Sequence, residues 1–225
     1  PREVERETFQ NTTVESRLRV EYSQFQMSQT LALGVRAGVN RMRRFEGGPG
    51  STGSDFDMKL YGGTWERALR FGSMNAAVFA ENLIHVTDRL SVTPGIRFEY
   101  LRSTADGYTE VDSKFAPRTF AYPLAGVGAE YSITSSTAIY GNMSQAYRPI
   151  LYASLTPFGS TLRVDENLRT ARGYNVDLGW RGTAGGVLKF DVGAFYLSYR
   201  ARIGTKSVGN IVGRFLGTAN IVDSR

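Results

Sequence analysis

Arginine is the residue type in this sequence that is best suited to binding a ligand. The chain has 225 residues with 27 Lys and Arg together, and 23 of the 27 are arginines. A guanidinium group grips a carboxylate or a phosphate through two parallel hydrogen bonds, so this bias indicates discrete anionic ligands. The densest basic cluster is Arg41, Arg43 and Arg44, and no lysine-rich run accompanies it. We therefore expect no nucleic-acid partner.

The other residue types that carry chemistry are scarce. There is no cysteine and only one histidine, His85, which rules out thiol chemistry and leaves no basis for a Ser/His/Asp arrangement. The glycine-rich stretch Gly47–Gly53 lacks the Gly-Lys-Ser/Thr ending of a phosphate-binding loop. Around Asp106 the acidic residues lack the regular spacing of a calcium loop, although a calcium bridge there stays open. We expect no enzyme activity, no metal site and no cofactor.

Within the segments that must position these residues, apolar and polar residues alternate with a period of two. One parity of each segment is apolar and the other is charged or small, which predicts strands with two different faces. Glycines inside the segments oppose a helical interpretation. The regular segments are Thr13–Ser23, Leu31–Arg41, Arg89–Leu101 and Gly173–Arg181, and the less regular ones are Asn75–Val86, Tyr122–Ile133, Thr137–Tyr147 and Leu188–Arg202, with a ninth strand beginning near Phe215.

The connections between these strands alternate between short and long. Every long connection would then leave the same end of the sheet, which predicts an antiparallel up-and-down meander. The predicted short connections lie near Gln24–Ser28, Thr87–Asp88, Thr134–Ser136 and Thr183–Gly186. The predicted long ones lie near Phe45–Met74, Arg102–Ala121, Arg148–Thr170 and Gly204–Arg214.

The apolar parity must be hidden from water, and two arrangements can do this. A soluble sandwich packs it against a second sheet, whereas a membrane barrel turns it toward lipid and its charged parity toward a wet lumen. The segments span about 10–14 residues, longer than the usual soluble strand and long enough to cross a bilayer. The fold class that we predict is all-β, a partial transmembrane barrel of eight or nine antiparallel strands. A soluble secreted module that binds carbohydrate, and a porin-type channel, stay open as alternatives.

Three segments resemble the TonB-dependent receptors of bacterial outer membranes. The strand Ala138–Tyr147 runs into Arg148-Pro149, like the family's strand that ends in an aromatic-Arg-Pro and opens a long extracellular loop. The stretch from Asp165 to Arg181 is similar to the acidic-Asn-Leu and Tyr-x-x-acidic-Leu-Gly segments that follow it. Thr93 to Arg97 is similar to the family's Thr-Pro-Gly-x-Arg strand. Within the family, the segments Phe195–Tyr199, Arg202–Thr205 and Thr218–Asn220 resemble the ferric dicitrate receptor branch.

This resemblance implies a function and a set of partners. Members of the family form 22-stranded barrels, closed by a plug domain, in the outer membrane of Gram-negative bacteria. They bind a ferric chelate outside and import it with energy that the TonB complex transmits through the plug. We expect residues 1–225 to be part of such a barrel, without the signal peptide, the plug or the last strands. The implied partners are an anionic, citrate-like ferric chelate, the TonB complex, outer-membrane lipid and lipopolysaccharide.

In this topology most arginines gather at the long-loop end. The residues that we expect to contact the ligand are Gln145 and Arg148, at the lumen mouth where their strand ends, followed by Arg163 and Arg169 in the next loop. A strand-end ion pair is the alternative role for Arg148. On the lumen parity, Glu130 and Asp177 are expected to form a charged ladder with Arg97 and Arg181, and the outward arginines are free to bind lipopolysaccharide phosphates.

Overall fold

The chain is all β in the part that its structure, a computed structural model, describes. That part comprises residues 2–24, 26–52, 57–109, 111–150, 162–164, 169–208 and 215–221. No described residue belongs to a helix, so none of these segments is a helix long and apolar enough to cross a membrane.

Eleven strands follow one another along these residues, and eight of them form one antiparallel sheet in the order β1-β2-β3-β4-β5-β6-β8-β9. The other three form a small sheet in the order β10-β11-β7, in which β11 and β7 are parallel. The predicted antiparallel meander is therefore confirmed. The strands are β1 (Glu3–Gln24), β2 (Met27–Pro49), β3 (Arg67–His85), β4 (Leu90–Thr109), β5 (Val111–Thr134), β6 (Thr137–Arg148), β7 (Leu162–Val164), β8 (Ala171–Ala184), β9 (Leu188–Arg200), β10 (Arg202–Val208) and β11 (Phe215–Ile221).

The first five strands are longer than the sequence predicted. They contain 19 to 24 residues each, and Arg102–Ala121, predicted as a long loop, is a hairpin in which Thr109 pairs with Val111. The connection predicted over Phe45–Met74 is likewise shorter in the structure, because β2 continues to Pro49 and β3 begins at Arg67. Two more predicted loops contain the short strands β7 and β10. Outside a lipid belt both faces of a sheet meet water, so the apolar alternation stops although the hydrogen-bond ladder continues.

The two faces of the large sheet differ in character. Residues that pair directly across strands share a face, and Val35, Val78 and Phe98 form one such row. Their exposed fractions are 54%, 53% and 47%, so nothing in the described part of the chain covers this apolar face. The sandwich alternative requires a second layer there, and the described residues supply none. We call this the outer face, and its charged opposite the lumen face.

Aromatic rings on the lumen face lie over glycines of the neighbouring strand. The Phe79 ring occupies the space where a side chain at Gly34 would lie, and the Tyr140 ring does the same at Gly179. A guanidinium group then stacks on the Phe79 ring, because Cζ of Arg97 lies 5.3 Å from the ring centroid. These layers fix the orientation of polar side chains on the lumen wall.

A compact buried region lies on the lumen face at the long-loop end. Met42, Leu69, Phe71 and Ala105 pack there as an apolar cluster on three adjacent strands. This end of the wall is thus rigid where the strands extend beyond the apolar belt.

Candidate ligand site at the lumen mouth

The candidate site forms where β6 separates from β5. The ladder between these strands ends at the pair Gly126 and Ser144, whereas β6 stays paired with β8 up to Arg148. At the point of separation Oε1 of Gln145 accepts a hydrogen bond of 2.9 Å from the backbone N–H of Ala125. The side chain of Gln145 therefore replaces the next ladder bond and holds the diverging strand end in place.

A buried carboxylate anchors this strand end. Glu99 is only 6% exposed, and its Oε2 accepts hydrogen bonds from Oη of Tyr147 at 2.6 Å and from Nδ2 of Asn75 at 3.0 Å. Its other carboxylate oxygen pairs with Nε of Arg97. A carboxylate can be buried when its lone pairs are satisfied in this way. The contact with Tyr147 joins β6 to β4, across the full width of β5.

Aromatic and cationic groups continue from this anchor. The rings of Tyr147 and Tyr122 meet edge to face with centroids 4.4 Å apart, and Cζ of Arg172 lies 5.6 Å from the centroid of the Tyr122 ring. Beside Arg172 the backbones of β8 and β9 approach closely: an added Cβ at Gly173 would overlap the carbonyl oxygen of Ser198. Only glycine fits this close approach of two backbones.

These contacts define a small polar recess, which we call the mouth cluster: Glu99, Tyr122, Gln145, Tyr147 and Arg172. A pocket of about 120 Å³ lies among its last four members. A larger open cleft of about 510 Å³ continues along the lumen wall, and Phe79, Arg97, Asn142 and Gln145 contribute to its lining. Gln145 lines both spaces, so the recess opens onto the wall along which a solute would pass.

The mouth also carries positive charge that no described carboxylate neutralises. Arg172 stands directly opposite Arg200 in the β8–β9 ladder, whereas Arg148, the last residue of the adjacent strand, pairs with Ala171 and so alternates to the other face of the ladder. All three are exposed, and among the described residues no carboxylate lies within 4 Å of their guanidinium nitrogens. Like charges placed opposite each other in a sheet repel, so the pair of Arg172 and Arg200 favours an anion between them.

The four residues predicted as ligand contacts fall in four different places. Gln145 joins the mouth cluster, and Arg148 is the exposed last residue of β6. Arg169 is exposed just before β8 and already interacts with another group of the protein. The backbone of Arg163 lies in the separate small sheet, opposite Gly217, and its side chain is outside the described part. Their contact with a ligand stays a prediction.

The predicted ladder of lumen charges is confirmed in part. Arg181 pairs with Glu130 across two strand intervals, and its Cζ lies 5.2 Å from the centroid of the Tyr140 ring. Arg97 pairs with Glu99 on its own strand instead of joining this ladder. The described residues contain no group of three His, Cys, Asp or Glu side chains that could hold a metal ion.

An outer face that is apolar, a lumen face that is ionic and long antiparallel strands together define a segment of an outer-membrane-type β-barrel. Residues 5–224 match the family described as "TonB dependent receptor-like, beta-barrel". The chain therefore belongs to the β-barrel domain of the TonB-dependent receptors. Among curated protein sequences, none matches the chain.

Several solved receptors share the fold at low sequence identity. The unliganded ferric citrate transporter FecA superposes with a TM-score of 0.74 at 17% identity, over 89% of this chain and 29% of its own. FpvAI in complex with pyocin S2 gives 0.70 at 17% identity, over 95% and 29%. The alcaligin receptor FauA from Bordetella pertussis gives 0.64 at 11% identity, over 96% and 34%. This chain thus spans about a third of each of these structures.

Proposed function

We propose that this chain forms part of the wall of an outer-membrane transporter that imports an anionic, citrate-like ferric chelate with energy supplied through TonB. The observation that carries the proposal is the pair of exposed arginines Arg172 and Arg200 at the lumen mouth, without carboxylate partners among the described residues. Arg148, at the exposed end of β6, is a further predicted contact. Membership of the receptor family supports the transport role.

The chemistry of the mouth suits a chelate with several carboxylates. Each guanidinium group can hold one carboxylate through two hydrogen bonds, and the edges of Tyr122 and Tyr147 supply a rigid aromatic rim beside them. Gln145 uses its oxygen on the backbone, which turns its amide nitrogen toward solutes in the cleft. No covalent bond needs to form or break in such a cycle of binding and release, so we propose a transporter without enzyme activity.

The two faces of the sheet support a place in the outer membrane of a Gram-negative bacterium. Its outer face would meet acyl chains, and the long-loop end would face the cell exterior. We propose that the chain contributes its eight or nine strands to a barrel of about 22 strands, whose plug domain lies outside this segment and makes the contact with the TonB complex.

The ligand assignment is tested by removing one guanidinium group at a time from the receptor. A hydrogen bond to a charged partner contributes about 1.5–3 kcal/mol, so Arg172→Ala should raise the Kd for ferric dicitrate by about ten- to a hundredfold. Arg148→Ala should act similarly, and Arg148→Lys should recover part of the affinity because it keeps the charge but loses the two-bond geometry. Arg89→Ala, at the opposite end of the barrel, is the matched control and should leave the Kd unchanged.

Energy coupling is tested separately, because a porin-type channel remains the other transport hypothesis. Uptake of radiolabelled ferric dicitrate should cease in cells that lack TonB, whereas passive flux through a channel would continue. If uptake needs TonB but neither arginine variant changes the Kd, the proposal of active import is supported and the assignment of a citrate-like ligand is wrong. If uptake persists without TonB, the active-transport proposal itself fails.

A further inference from the structure

The edge of β5 that faces β6 is unpaired above the point where the two strands separate. The last pair between them is Gly126 and Ser144, whereas β5 stays paired with β4 up to the hairpin at Val111. On the side of β6, the backbone of residues 117–124 therefore has no neighbouring strand in the described part of the chain. An unpaired strand edge is a template to which another extended chain can add.

Alternate residues of β5 present their backbone groups to this gap. The N–H of Ala125 points there, because it donates to Oε1 of Gln145 on β6. In an antiparallel strand the N–H and the C=O of one residue point to the same side, and those of the next residue point to the other side. Pro123, Ala121 and Thr119 therefore face the gap together with Ala125.

Pro123 gives an independent check on this direction. It pairs in register with Phe98 within the ladder between β4 and β5, although it has no N–H to donate. A proline fits inside a strand where its missing N–H would face an open edge. The side of β5 that faces β6 is therefore the side on which Pro123 lacks a donor.

Two positions of this edge keep both of their backbone groups. At the upper end the ladder with β4 skips Ala116 and Pro117, which form a bulge. At the lower end Pro123 has no N–H. Between them Thr119 and Ala121 each offer one N–H and one C=O, and no described backbone group bonds to them from the gap. We call Thr119 and Ala121 the open edge, and its length suits one short added strand.

The surroundings of the open edge are basic. Arg102 on β4 pairs in register with Thr119, so its side chain lies on the same face of the sheet as that of Thr119. Arg102 is exposed, and no carboxylate of the described residues lies within 4 Å of its guanidinium nitrogens. The nearby carboxylate of Glu99 is buried and already paired with Arg97. Electrostatic complementarity therefore favours an acidic chain at this edge.

We propose that the open edge binds a short, acidic, extended segment of another protein as an added antiparallel strand. The backbone of the segment exchanges hydrogen bonds with Thr119 and Ala121, and an acidic side chain opposite Thr119 pairs with Arg102. An added strand lies two strand spacings from β4, about 10 Å, which an arginine and a glutamate side chain together can bridge across the short side chain of Thr119. The topology in the proposed function puts this edge outside the cell, where such a partner has access to it.

This geometry predicts which backbone nitrogens of the partner bind. Residues that exchange hydrogen bonds across an antiparallel pair also share a face, so the residues bonded to the open edge are the acidic ones on the side of Arg102. The probe is a fluorescent hexapeptide of alternating glutamate and valine, and its binding to the purified receptor is measured by fluorescence polarisation. Methyl groups on the glutamate nitrogens should weaken binding about tenfold or more, whereas methyl groups on the valine nitrogens should leave the Kd unchanged.

Variants of the receptor test the same contact from the other side. Ala121→Pro removes an N–H from the gap and none from the ladder with β4, as Pro123 does, and should weaken peptide binding about tenfold. Ala121→Val keeps the N–H and is the matched control, which should bind like the wild type. Arg102→Gln should weaken binding by about fivefold or less, because its ion pair is exposed. Heat-dependent mobility on a gel verifies that each variant is folded.

Three results would overturn the proposal. They are the absence of saturable binding to the wild type, equal Kd values for the two methylated peptides, and an unchanged Kd for the folded Ala121→Pro variant. If Arg102→Gln weakens binding but methylation has no effect, the peptide is held by charge alone and strand addition is wrong. The Kd for ferric dicitrate should stay unchanged in Ala121→Pro, so failure of this proposal is distinguishable from failure of the import proposal.

Discussion

The assignment of the two faces makes a sharp prediction at two adjacent positions of β6. Met143 lies on the outer face between Val127 and Val176, and it is 50% exposed in the isolated sheet. Asn142 points to the lumen, pairs in register with Asp177 and is also exposed. An arginine at each position adds the same charge and a similar volume, so the pair of variants isolates the solvent that each face meets.

The magnitudes differ because hydrocarbon and water treat a guanidinium group differently. An arginine that faces lipid near the middle of a bilayer destabilises a barrel by about 2–4 kcal/mol. We expect Met143→Arg to lower the free energy of unfolding by that amount, which corresponds to roughly 30- to 900-fold in the folding equilibrium. Asn142→Arg should change the same quantity by about 0.5 kcal/mol or less, because the lumen is wet and Asp177 stands opposite.

The assay is guanidinium-induced unfolding of the receptor in phospholipid vesicles, followed by tryptophan fluorescence. Met143→Ala provides the reference for lost side-chain volume at the outer position. Equal destabilisation by the two arginine variants would refute the assignment of faces, as would a larger effect at Asn142. Either result would mean that the apolar rows do not meet acyl chains.

Three further variants test the packing of the lumen wall in the same unfolding assay. Tyr147→Phe removes the hydrogen bond to the buried Glu99 and should destabilise the protein by about 1.5–3 kcal/mol, and an effect below 0.5 kcal/mol would contradict the anchoring role. Gly34→Ala should cost about 1–3 kcal/mol because its methyl group overlaps the Phe79 ring, and the double variant with Phe79→Leu should recover much of the loss. Arg181→Ala should cost about 1 kcal/mol or less, decreasing with added salt, because its ion pair is exposed.

The sequence predicted the strands well only where lipid imposes the alternation. The segment Arg89–Leu101 is apolar at every second position, and all of it after Arg89 lies within β4. Beyond Leu101 the alternation fails, and the continuation of β4 to Thr109 was missed. That continuation depends on a hydrogen-bond ladder between backbones, which leaves no pattern in the side chains once both faces are wet.

The sequence predicted the strand end that carries the candidate site but not the side chains around it, and ligand contact there stays a prediction. A strand end before a long connection pointed to Gln145 and Arg148, and the structure places the separation of β6 from β5 there. The partners Glu99 and Tyr147 were missed because they lie 48 residues apart and meet only through the register of three strands. Arg172 was counted only among the loop-end arginines, since its contact with the Tyr122 ring joins residues 50 positions apart on different strands.

The distribution of charge compensation separates the arginines of this wall into three groups. Those on the lumen face within and above the belt, such as Arg44, Arg97 and Arg181, pair with carboxylates and keep the wall polar and fixed. The mouth arginines Arg172 and Arg200, and the outward-facing Arg43 and Arg70, do not, although the two residues of each pair stand directly opposite each other in a ladder. Such a pair repels by about 1 kcal/mol or less in water, so the sheet tolerates it, and an anion makes it favourable. The pair of Arg172 and Arg200 lies at the lumen mouth, whereas Arg43 and Arg70 face outward. Replacing Arg43 and Arg70 by Gln should therefore leave the Kd for the chelate unchanged, whereas Arg172→Ala should raise it; a raised Kd in the first variant would show that charge anywhere at this end of the barrel, and not the mouth itself, sets the affinity.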